Sequence, residues 1–483
     1  MDFVSQILND ENIRQSLIEL KKNFNQESSC YHNEELKDKL KILLNHEDPK
    51  VRKNTAFLLG YYEDCIPLLI NAYFQEKTEY VKESYLKAFL NHDCHMYLKE
   101  LKMIQKKLIA THDVSTKHIQ AQLKIINPLI LQYGYKKKKV VKLKHEPVDV
   151  ILTTLPYYQF VIFEHVLSLR YKPLSQGVLV RTESLYDLQS IRVYKDMIFP
   201  IGLSHLPKDI HKIEIALPHS RILEVLNKLY DEKDDVFYYR VADELREKNP
   251  QLVKQISQKL FEIFPHRLLN SSEKYDIEFV LREVKKGTVS IYLKLTHLSN
   301  PRFLYRKKTI ANSMQPYVAA TLVQLAYPYM KDNAQVLDPF TGSGILLIEK
   351  NIIKPSHFSM GVDIFNEGIE IARKNAKAAQ QNIHFVHKDA LRFSNNELFD
   401  EIITDMPTFP QMKDEEKLTD LYDRFFSRMH RLVRVGGYVF LYTSEISLVM
   451  KNLRLQEDYL SLEEHYDIPR GKNMFYFFII RVK

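Results

Sequence analysis

The stretch Val336-Leu-Asp-Pro-Phe-Thr-Gly-Ser-Gly344 decides the fold of the C-terminal part of this 483-residue chain. Val336-Leu-Asp338 predicts a short buried strand that ends in a carboxylate, and Ile345-Leu-Leu-Ile-Glu-Lys350 predicts the helix that follows. Between them, Gly342 and Gly344 let the backbone approach a ligand closely and aim amide groups at it. This order predicts one unit of a Rossmann-like α/β domain.

Further strands that end in carboxylates follow in series. Gly361-Val-Asp-Ile364 predicts a second strand, and Asp363 at its tip lies about 20 residues past the glycine turn, where other nucleoside sites place a ribose acceptor. Ile383 to Ala390 predicts a third strand ending in Asp389, and Phe399 to Asp405 a fourth. Val435 to Tyr442 and Asn473 to Val482 predict the last two strands, the second buried on both faces.

The glycine turn resembles motif I of the nucleic-acid amino-methyltransferases. A dinucleotide-binding fingerprint would need a third glycine, which is missing here, so a dehydrogenase is disfavoured. The resemblance implies an S-adenosylmethionine site in which Asp338 helps to hold the amino-acid end of the cofactor and Asp389 lies beside its adenine amino group. The expected cofactor-binding residues all belong to the turn or to strand ends: Asp338, Phe340, Thr341, Gly342, Gly344, Asp363, Asp389 and Asp405.

In that family the fourth strand ends in Asp or Asn, followed by Pro-Pro and an aromatic residue. An exocyclic amine is a poor nucleophile, so two acceptors must orient its lone pair while a ring clamps the base. Here the sequence is Asp405-Met-Pro-Thr-Phe409, and the expected catalytic residues are Asp405, Met406, Pro407 and Phe409. Because Thr408 replaces the aromatic residue, three outcomes stay open: a re-aimed loop in which Phe409 stacks, a different target, or lost activity.

Tyr305 to Ala320 precedes the first strand by the distance at which this RNA methyltransferase family has a segment that closes over the cofactor. Within it, Arg306, Lys307 and Lys308 are expected to contact RNA phosphates. No metal site is expected. His92-Asp-Cys-His95 has metal-capable side chains, but four adjacent residues in a helical region cannot all face one ion.

The rest of the chain predicts two further domains before the catalytic domain at residues 301–483. Residues 1–134 have helical periodicity, and Asp48 to Gly60 is similar to Glu79 to Leu90. The first of these stretches resembles a HEAT repeat, and an irregular helical bundle is the alternative. We therefore expect a multidomain protein with an all-α N-terminal region, an α+β middle and a C-terminal α/β domain.

Residues 146–300 alternate between strand-like and helix-like segments. We predict helices over residues 157–169 and 185–192, and a hairpin between the segments 275–282 and 288–294. The order of elements resembles the ferredoxin-like and THUMP pair that precedes the catalytic domain in a family of tRNA and rRNA guanine methyltransferases. An unrelated α+β insertion is the alternative.

Composition agrees with an RNA partner and a cytoplasmic location. Lys and Arg number 69 against 61 Asp and Glu, giving a net charge of +8. The three cysteines are widely spaced, which disfavours a disulfide framework, and neither a signal peptide nor a membrane span is predicted. A protein partner of the helical region is also expected, while the sequence leaves the oligomeric state open.

The leading hypothesis is methylation of an exocyclic amine, the guanine 2-amino group, in tRNA or rRNA. A methyltransferase that acts on DNA or protein is the enzymatic alternative. A scaffold that binds RNA or protein and keeps only a vestigial cofactor site is the other, because Met406 and Thr408 depart from the family pattern.

Overall fold

The computed structural model describes residues 3–110, 116–134, 139–142, 144–231, 236–265, 267–298, 300–310, 313–471 and 473–483. These residues form a helical N-terminal region and two β-sheets with their helices. Within these ranges, every helix is too short or too polar to cross a membrane.

The N-terminal region consists of helices in two layers. Its helices are α1 (Phe3–Leu8), α2 (Ile13–Asn23), α3 (Glu34–Leu43), α4 (Pro49–Leu59), α5 (Ile66–Gln75), α6 (Glu79–Lys87), α7 (Leu98–Ile109) and α8 (Lys117–Gly134). The even-numbered helices α2, α4, α6 and α8 contact one another in order, while α3, α5 and α7 each pack against the next even-numbered helix. The predicted helical character of this region is confirmed.

The similar stretches of this region begin α4 and α6, which pack side by side. Asp48 caps α4 by accepting a hydrogen bond from the Lys50 amide. Arg52, one turn into α4, forms a two-pronged ion pair with the buried Glu76, at 2.8 and 2.9 Å. Although burial opposes ionisation, these hydrogen bonds and that of the Thr78 amide lower the pKa of Glu76 to about 2. The ion pair therefore links consecutive helical pairs.

The middle region forms one sheet of eight strands in the order β2-β3-β1-β4-β8-β7-β5-β6. The strands are β1 (Val148–Thr153), β2 (Arg170–Leu174), β3 (Gly177–Thr182), β4 (Met197–Pro207), β5 (Phe237–Glu244), β6 (Leu268–Asn270), β7 (Ile277–Arg282) and β8 (Thr288–Leu295). Its helices are α9 (Phe163–Val166), α10 (Ile210–Ala216), α11 (Ile222–Leu229) and α12 (Pro250–Ile263). β7 and β8 pair antiparallel, which confirms the predicted hairpin.

Two helices predicted in the middle region are much shorter in the structure. Residues 157–169 contain a 3-10 turn (Gln159–Ile162) and the one-turn helix α9, while residues 185–192 contain only a 3-10 turn (Asp187–Ser190). Tyr157 has a φ of 71°, a conformation that an α-helix cannot include. The apolar spacing that suggested helices instead directs side chains from irregular connections into the core of the sheet.

The C-terminal sheet has seven strands in the order β11-β10-β9-β12-β13-β15-β14. The strands are β9 (Gln335–Asp338), β10 (Phe358–Asp363), β11 (His384–His387), β12 (Phe399–Asp405), β13 (Val433–Thr443), β14 (Leu460–Arg470) and β15 (Asn473–Val482). The helices are α13 (Pro316–Ala326), α14 (Ile345–Ile353), α15 (Asn366–Ala378), α16 (Phe409–Met412), α17 (Glu415–Phe426) and α18 (Ile446–Leu455). β9 to β13 run parallel, and β15 pairs antiparallel with β13. The strand order reverses direction at β9, which opens a crevice at its carboxyl end.

The middle and C-terminal regions share a continuous core and a buried ion pair. Arg192 of the middle region binds both carboxylate oxygens of Glu349 in α14, at 2.6 and 2.8 Å. The Tyr305 hydroxyl donates a third hydrogen bond to Glu349. Arg302 is buried and donates to the carbonyls of Ile191 and Tyr194. The helix that begins at the glycine turn is thus fixed to the middle sheet.

Candidate active site

The glycine turn between β9 and α14 depends on two residues with positive φ. Gly342 has a φ of 50° and Gly344 a φ of 78°. A Cβ added to Gly344 would lie 3.0 Å from the Ala372 Cβ and 3.2 Å from the Phe385 ring, so a side chain there meets both strain and crowding. The Gly342 amide donates to the Asp363 carboxylate at 2.8 Å. The turn is therefore joined to the end of β10.

Asp338 ends β9 in a buried position. Its Oδ1 accepts hydrogen bonds from the Thr404 hydroxyl, at 2.7 Å, and from the Phe340 amide, at 3.1 Å. Burial raises the pKa of this carboxyl to about 8, although both hydrogen bonds act in the opposite direction. A cation placed beside Asp338 would favour its ionised form.

Phe340 and Thr341 of the turn face the protein interior. The Phe340 ring packs edge-on against Phe425 of α17, with centroids 5.3 Å apart. The Thr341 hydroxyl is buried, has no hydrogen-bond partner within the described ranges, and lies against Gly361 of β10. Both side chains therefore pack on the interior side of the turn and support its conformation.

Asp363 is the last residue of β10, whereas Asp389 lies two residues after the end of the neighbouring strand β11, which is shorter than predicted. The Asp363 carboxylate also accepts from the Phe365 amide, while Asp389 caps the 3-10 turn Ala390–Arg392 through the Leu391 amide. Ile364, between these strand ends, is 56% exposed. Sequence reasoning missed Ile364, although an apolar residue directly after the ribose-acceptor position was visible.

The segment upstream of α13 lies over the glycine turn. The Ile310 side chain is 3.7 Å from the place of a Cβ on Gly342, and the Ser313 and Ser343 hydroxyls are 2.9 Å apart. Asn375 of α15 is buried and binds the backbone of Lys307 and Lys308 as well as the Ser343 carbonyl. Sequence reasoning missed Asn375, which ties this segment to the turn.

Asp405 ends β12 on the other side of β9. It is partly buried, and among the described residues no group donates a hydrogen bond to its carboxylate. Burial raises the pKa of Asp405 to about 7, while the charge of Arg470 acts against that shift. An unpaired carboxylate at the carboxyl end of a parallel strand is available to a ligand.

Met406 and Pro407, the next two residues, differ in whether their carbonyl groups accept a hydrogen bond. The Met406 amide donates to the Tyr442 carbonyl at 2.9 Å, but the Met406 carbonyl accepts no hydrogen bond from any residue that the structure describes. The Pro407 carbonyl accepts from the Tyr422 hydroxyl at 3.0 Å. Tyr422, which sequence reasoning missed, thus holds the loop and leaves the Met406 carbonyl available beside Asp405.

Thr408 and Phe409 begin the short helix α16. Thr408 is buried and forms a capping box with Gln411, in which the Thr408 amide donates to Gln411 Oε1 at 2.8 Å. The Phe409 amide donates to Glu445 at 3.0 Å, and the Phe409 ring is 48% exposed. The residue that replaces the family's aromatic is therefore a helix cap, and the exposed ring follows it.

A family model described as "RMKL-like, methyltransferase domain" matches residues 304–461. This range contains the glycine turn, the strand-end residues Asp338, Asp363 and Asp405, and the loop after Asp405. The C-terminal region is an S-adenosylmethionine-dependent methyltransferase. Its predicted fold and cofactor are confirmed.

Curated relatives of the methyltransferase region differ in their substrates. A release factor glutamine methyltransferase from Buchnera aphidicola is 35% identical over 114 residues, which are 22% of this chain and 40% of that protein. A tRNA (guanine(10)-N2)-dimethyltransferase from Methanothermobacter thermautotrophicus is 27% identical over 180 residues, which are 36% of this chain and 52% of that protein. The chain thus spans about half or less of these relatives.

Solved structures share the fold over a longer stretch. TrmN from Thermus thermophilus aligns with a TM-score of 0.53 and 19% identity, covering 70% of this chain and 100% of that one. A possible methylase from Clostridium difficile 630 aligns with a TM-score of 0.55 and 17% identity, covering 70% and 99%. Because residues 301–483 are well under half of the chain, the shared fold includes the middle region.

The side chains of the methyltransferase fit its cofactor. Asp338 keeps one oxygen, Oδ2, without a hydrogen bond from the described residues, which suits an ammonium group. Asp363 could also accept hydrogen bonds from ribose hydroxyls, since each of its oxygens accepts only one backbone amide, and the exposed Ile364 could offer an apolar surface to a planar base. The positive-φ turn at the start of α14 presents backbone amides that could bind a carboxylate.

Proposed function

We propose that the protein transfers a methyl group from S-adenosylmethionine to an exocyclic amine of RNA, the 2-amino group of a guanine in tRNA or rRNA. The observation that carries this proposal is a pair of acceptors next to the cofactor crevice, the Asp405 carboxylate and the Met406 carbonyl, to which none of the described residues donates a hydrogen bond. Two adjacent acceptors match the two N–H groups of an aromatic amine.

In the proposed mechanism, the bound cofactor supplies an electrophilic methyl group on a sulfonium. Asp405 and the Met406 carbonyl accept the two N–H groups and turn the nitrogen lone pair towards that methyl group. The exposed Phe409 ring stacks on the base. Asp405, whose pKa is raised to about 7, takes the proton that the nitrogen loses when the N–C bond forms.

Cofactor binding is assigned to the turn and the strand ends. Asp338 holds the amino-acid end, Asp363 accepts from the ribose hydroxyls and Asp389 accepts from the adenine amino group. Gly342 and Gly344 let the cofactor approach the backbone. Phe340 and Thr341 act through the shape of the turn, because their side chains pack inward.

RNA is the favoured substrate for two reasons. One relative is named as a tRNA guanine dimethyltransferase, and the basic surplus of the chain is concentrated in residues 135–300, which contain 27 Lys and Arg against 21 Asp and Glu. Lys307 and Lys308 are exposed, with no ion pair among the described residues, and are assigned to phosphate contacts. Arg306 joins them, although it also binds Gln315.

The remaining regions are assigned accessory roles. Residues 146–300 are proposed to be a ferredoxin-like and THUMP-like unit that binds RNA, and their sheet of strands and helices before the catalytic domain supports this. Residues 1–134 are proposed to be HEAT-like, with the layered helices and the Arg52–Glu76 pair as support, and to bind a protein partner. The protein is proposed to act in the cytoplasm.

A glutamine side-chain amide is the second candidate target, because the Buchnera relative is named as a release factor methyltransferase. An amide nitrogen also has two N–H groups and a delocalised lone pair, so Asp405 and Met406 could orient it in the same way. RNA is favoured by the basic segment 135–145, which precedes the middle region and contains six Lys and no Asp or Glu.

The test is methyl transfer from labelled S-adenosylmethionine to total RNA and, separately, to total protein from a strain that lacks the gene. We expect label in RNA that depends on Asp405. Label in protein alone would replace the proposal with the glutamine target. Cofactor binding by calorimetry without any transfer would support the vestigial scaffold.

A further inference from the structure

A cavity of about 470 Å³ lies in the middle region and shares no residue with the candidate active site. Its walls come from the segment before β1, from the edge strand β2, and from β3 with the turn that follows. Lys144, Arg170 and Arg181 line it as cations, and Glu183 and Asp187 as anions.

Two of the cations are direct cross-strand neighbours. Arg170 of β2 is paired in register with Arg181 of β3, an arrangement that is unfavourable for like charges on one face of a sheet. Arg181 is relieved by Asp149, at 3.0 Å. Arg170 is exposed and, among the residues described, has no ion-pair partner. The cavity therefore has a guanidinium that is free to bind an anion.

His145, which lines the cavity, has a buried ring nitrogen without a hydrogen-bond partner among the described residues. His145 is only 9% exposed, and its Nε2 has no hydrogen bond to any part of the chain that is described. Its Nδ1 lies 2.9 Å from the Glu146 carbonyl, which can only accept, so Nδ1 carries the proton. In the neutral ring, Nε2 is then an acceptor, and its natural partner is a hydroxyl group.

We propose that this cavity is a binding site for a phosphate ester that carries a free hydroxyl group, such as a ribose phosphate unit. The phosphate binds to the Arg170 and Arg181 guanidinium groups and to Lys144, and the hydroxyl donates to His145 Nε2. Glu183 and Asp187 reduce the charge of the cavity, which favours one ester group over a dense polyanion. The site requires no methyl transfer, so it stands or falls independently of the proposed activity.

Two sources have this chemistry, an RNA strand and a free sugar phosphate. The experiment titrates the full chain, without cofactor, with inorganic phosphate and with ribose 5-phosphate by calorimetry. We expect ribose 5-phosphate to bind more tightly, and Arg170→Gln to weaken it about tenfold. Lys172→Gln is the matched control, because Lys172 lies two residues along the same exposed edge strand and does not line the cavity. It should change the affinity less than about twofold.

His145→Phe should remove the preference for ribose 5-phosphate over inorganic phosphate, with thermal melting used to check that it folds. A single-stranded RNA oligonucleotide added at saturation then identifies the source. Competition with ribose 5-phosphate indicates an RNA strand, and independent binding indicates a free ester. The proposal is overturned if ribose 5-phosphate does not bind, or if Arg170→Gln and Lys172→Gln weaken it equally.

Discussion

The two loops at the carboxyl edge of the C-terminal sheet differ in whether the carboxylates beside them accept hydrogen bonds from the protein. On the cofactor side, Asp338 and Asp363 accept hydrogen bonds from backbone amides and so fix the shape of the glycine turn. On the acceptor side, Asp405 accepts none from the described residues, and the loop is instead held by Tyr422 and Glu445. The first loop is built to keep a conformation, and the second to present unpaired acceptors to a substrate.

The largest effect is expected from removing the Asp405 carboxylate, the acceptor of the second loop. Asp405→Ala should lower kcat by about 10³-fold, because the amine loses an oriented acceptor and a proton acceptor. The affinity for S-adenosylmethionine, measured by calorimetry, should fall by no more than about tenfold, because Asp405 contributes only its charge to cofactor binding. Asp420→Ala, on the exposed surface of α17, is the control and should leave kcat unchanged. Equal loss of kcat and cofactor affinity would place Asp405 on the cofactor side only.

The pH dependence of cofactor binding tests both carboxyls. In the free protein, burial raises the pKa of Asp405 to about 7 and that of Asp338 to about 8, so both are largely protonated at pH 6. A cationic cofactor favours their ionised forms, so its affinity should rise roughly 10–100-fold from pH 6 to pH 8. Calorimetry should detect proton release, and Asp405→Asn should flatten part of the profile. A flat profile in the unaltered protein would contradict the raised pKa of these two buried carboxyls.

The same shifts have a consequence for stability. A carboxyl whose folded pKa is raised above its unfolded value stabilises the folded state fully at low pH, and this contribution is lost as the pH rises through the folded pKa. The free protein should therefore lose stability between about pH 4 and pH 8, and Asp405→Asn should reduce the part of that loss that falls below about pH 7. Thermal melting as a function of pH measures both.

The conformation of the cofactor loop is tested by Gly344→Ala. The positive φ and the contacts at 3.0 Å from Ala372 and 3.2 Å from Phe385 should weaken cofactor binding about 30-fold. Gly436→Ala is a matched control, since Gly436 has a φ of 82° with no atom within 4 Å of the added Cβ. If both substitutions weaken cofactor binding equally, the loss of affinity comes from general backbone strain. It does not then come from the fit between the glycine turn and the cofactor.

The smallest effect is expected from removing the aromatic ring of Phe409, in the loop that follows Asp405. Phe409→Ala should raise the KM for RNA about tenfold, the cost of losing one base-stacking surface, with little change in kcat. Tyr459→Ala removes an aromatic side chain from a residue of the same exposure, 48%, at the opposite edge of the catalytic sheet, and should leave KM unchanged. A KM unaffected by Phe409→Ala would mean that the re-aimed ring does not clamp the base.

Sequence reasoning located the strands of the catalytic sheet well apart from β14, because most of them are short apolar runs ending in a polar residue. The predicted strand over 399–405 coincides with β12, and that over 473–482 with β15. It misjudged the connections of the middle region, where apolar spacing reflects burial against a sheet. Contacts between distant segments, such as Asn375 with Lys307 and Lys308, have no local signal.

The helix start at Thr408 could have been predicted from the sequence. Thr408-x-x-Gln411 is a capping-box pattern, which predicts a helix start at the position where the family has its clamp. Without the position of Tyr422 and Glu445, however, the sequence could not tell whether Met406 still offers its carbonyl. That depends on which neighbouring hydroxyl binds Pro407.

The most direct test is nucleoside mass spectrometry of tRNA and rRNA from three strains: one with the gene, one lacking it, and one carrying Asp405→Ala. The nucleoside N2-methylguanosine, whose base is methylated on its exocyclic amine, should be depleted in the second and third strains. Recovery of that nucleoside with purified protein and S-adenosylmethionine would complete the case. Unchanged nucleosides in all three strains, with methylation of a protein glutamine lost instead, would contradict it.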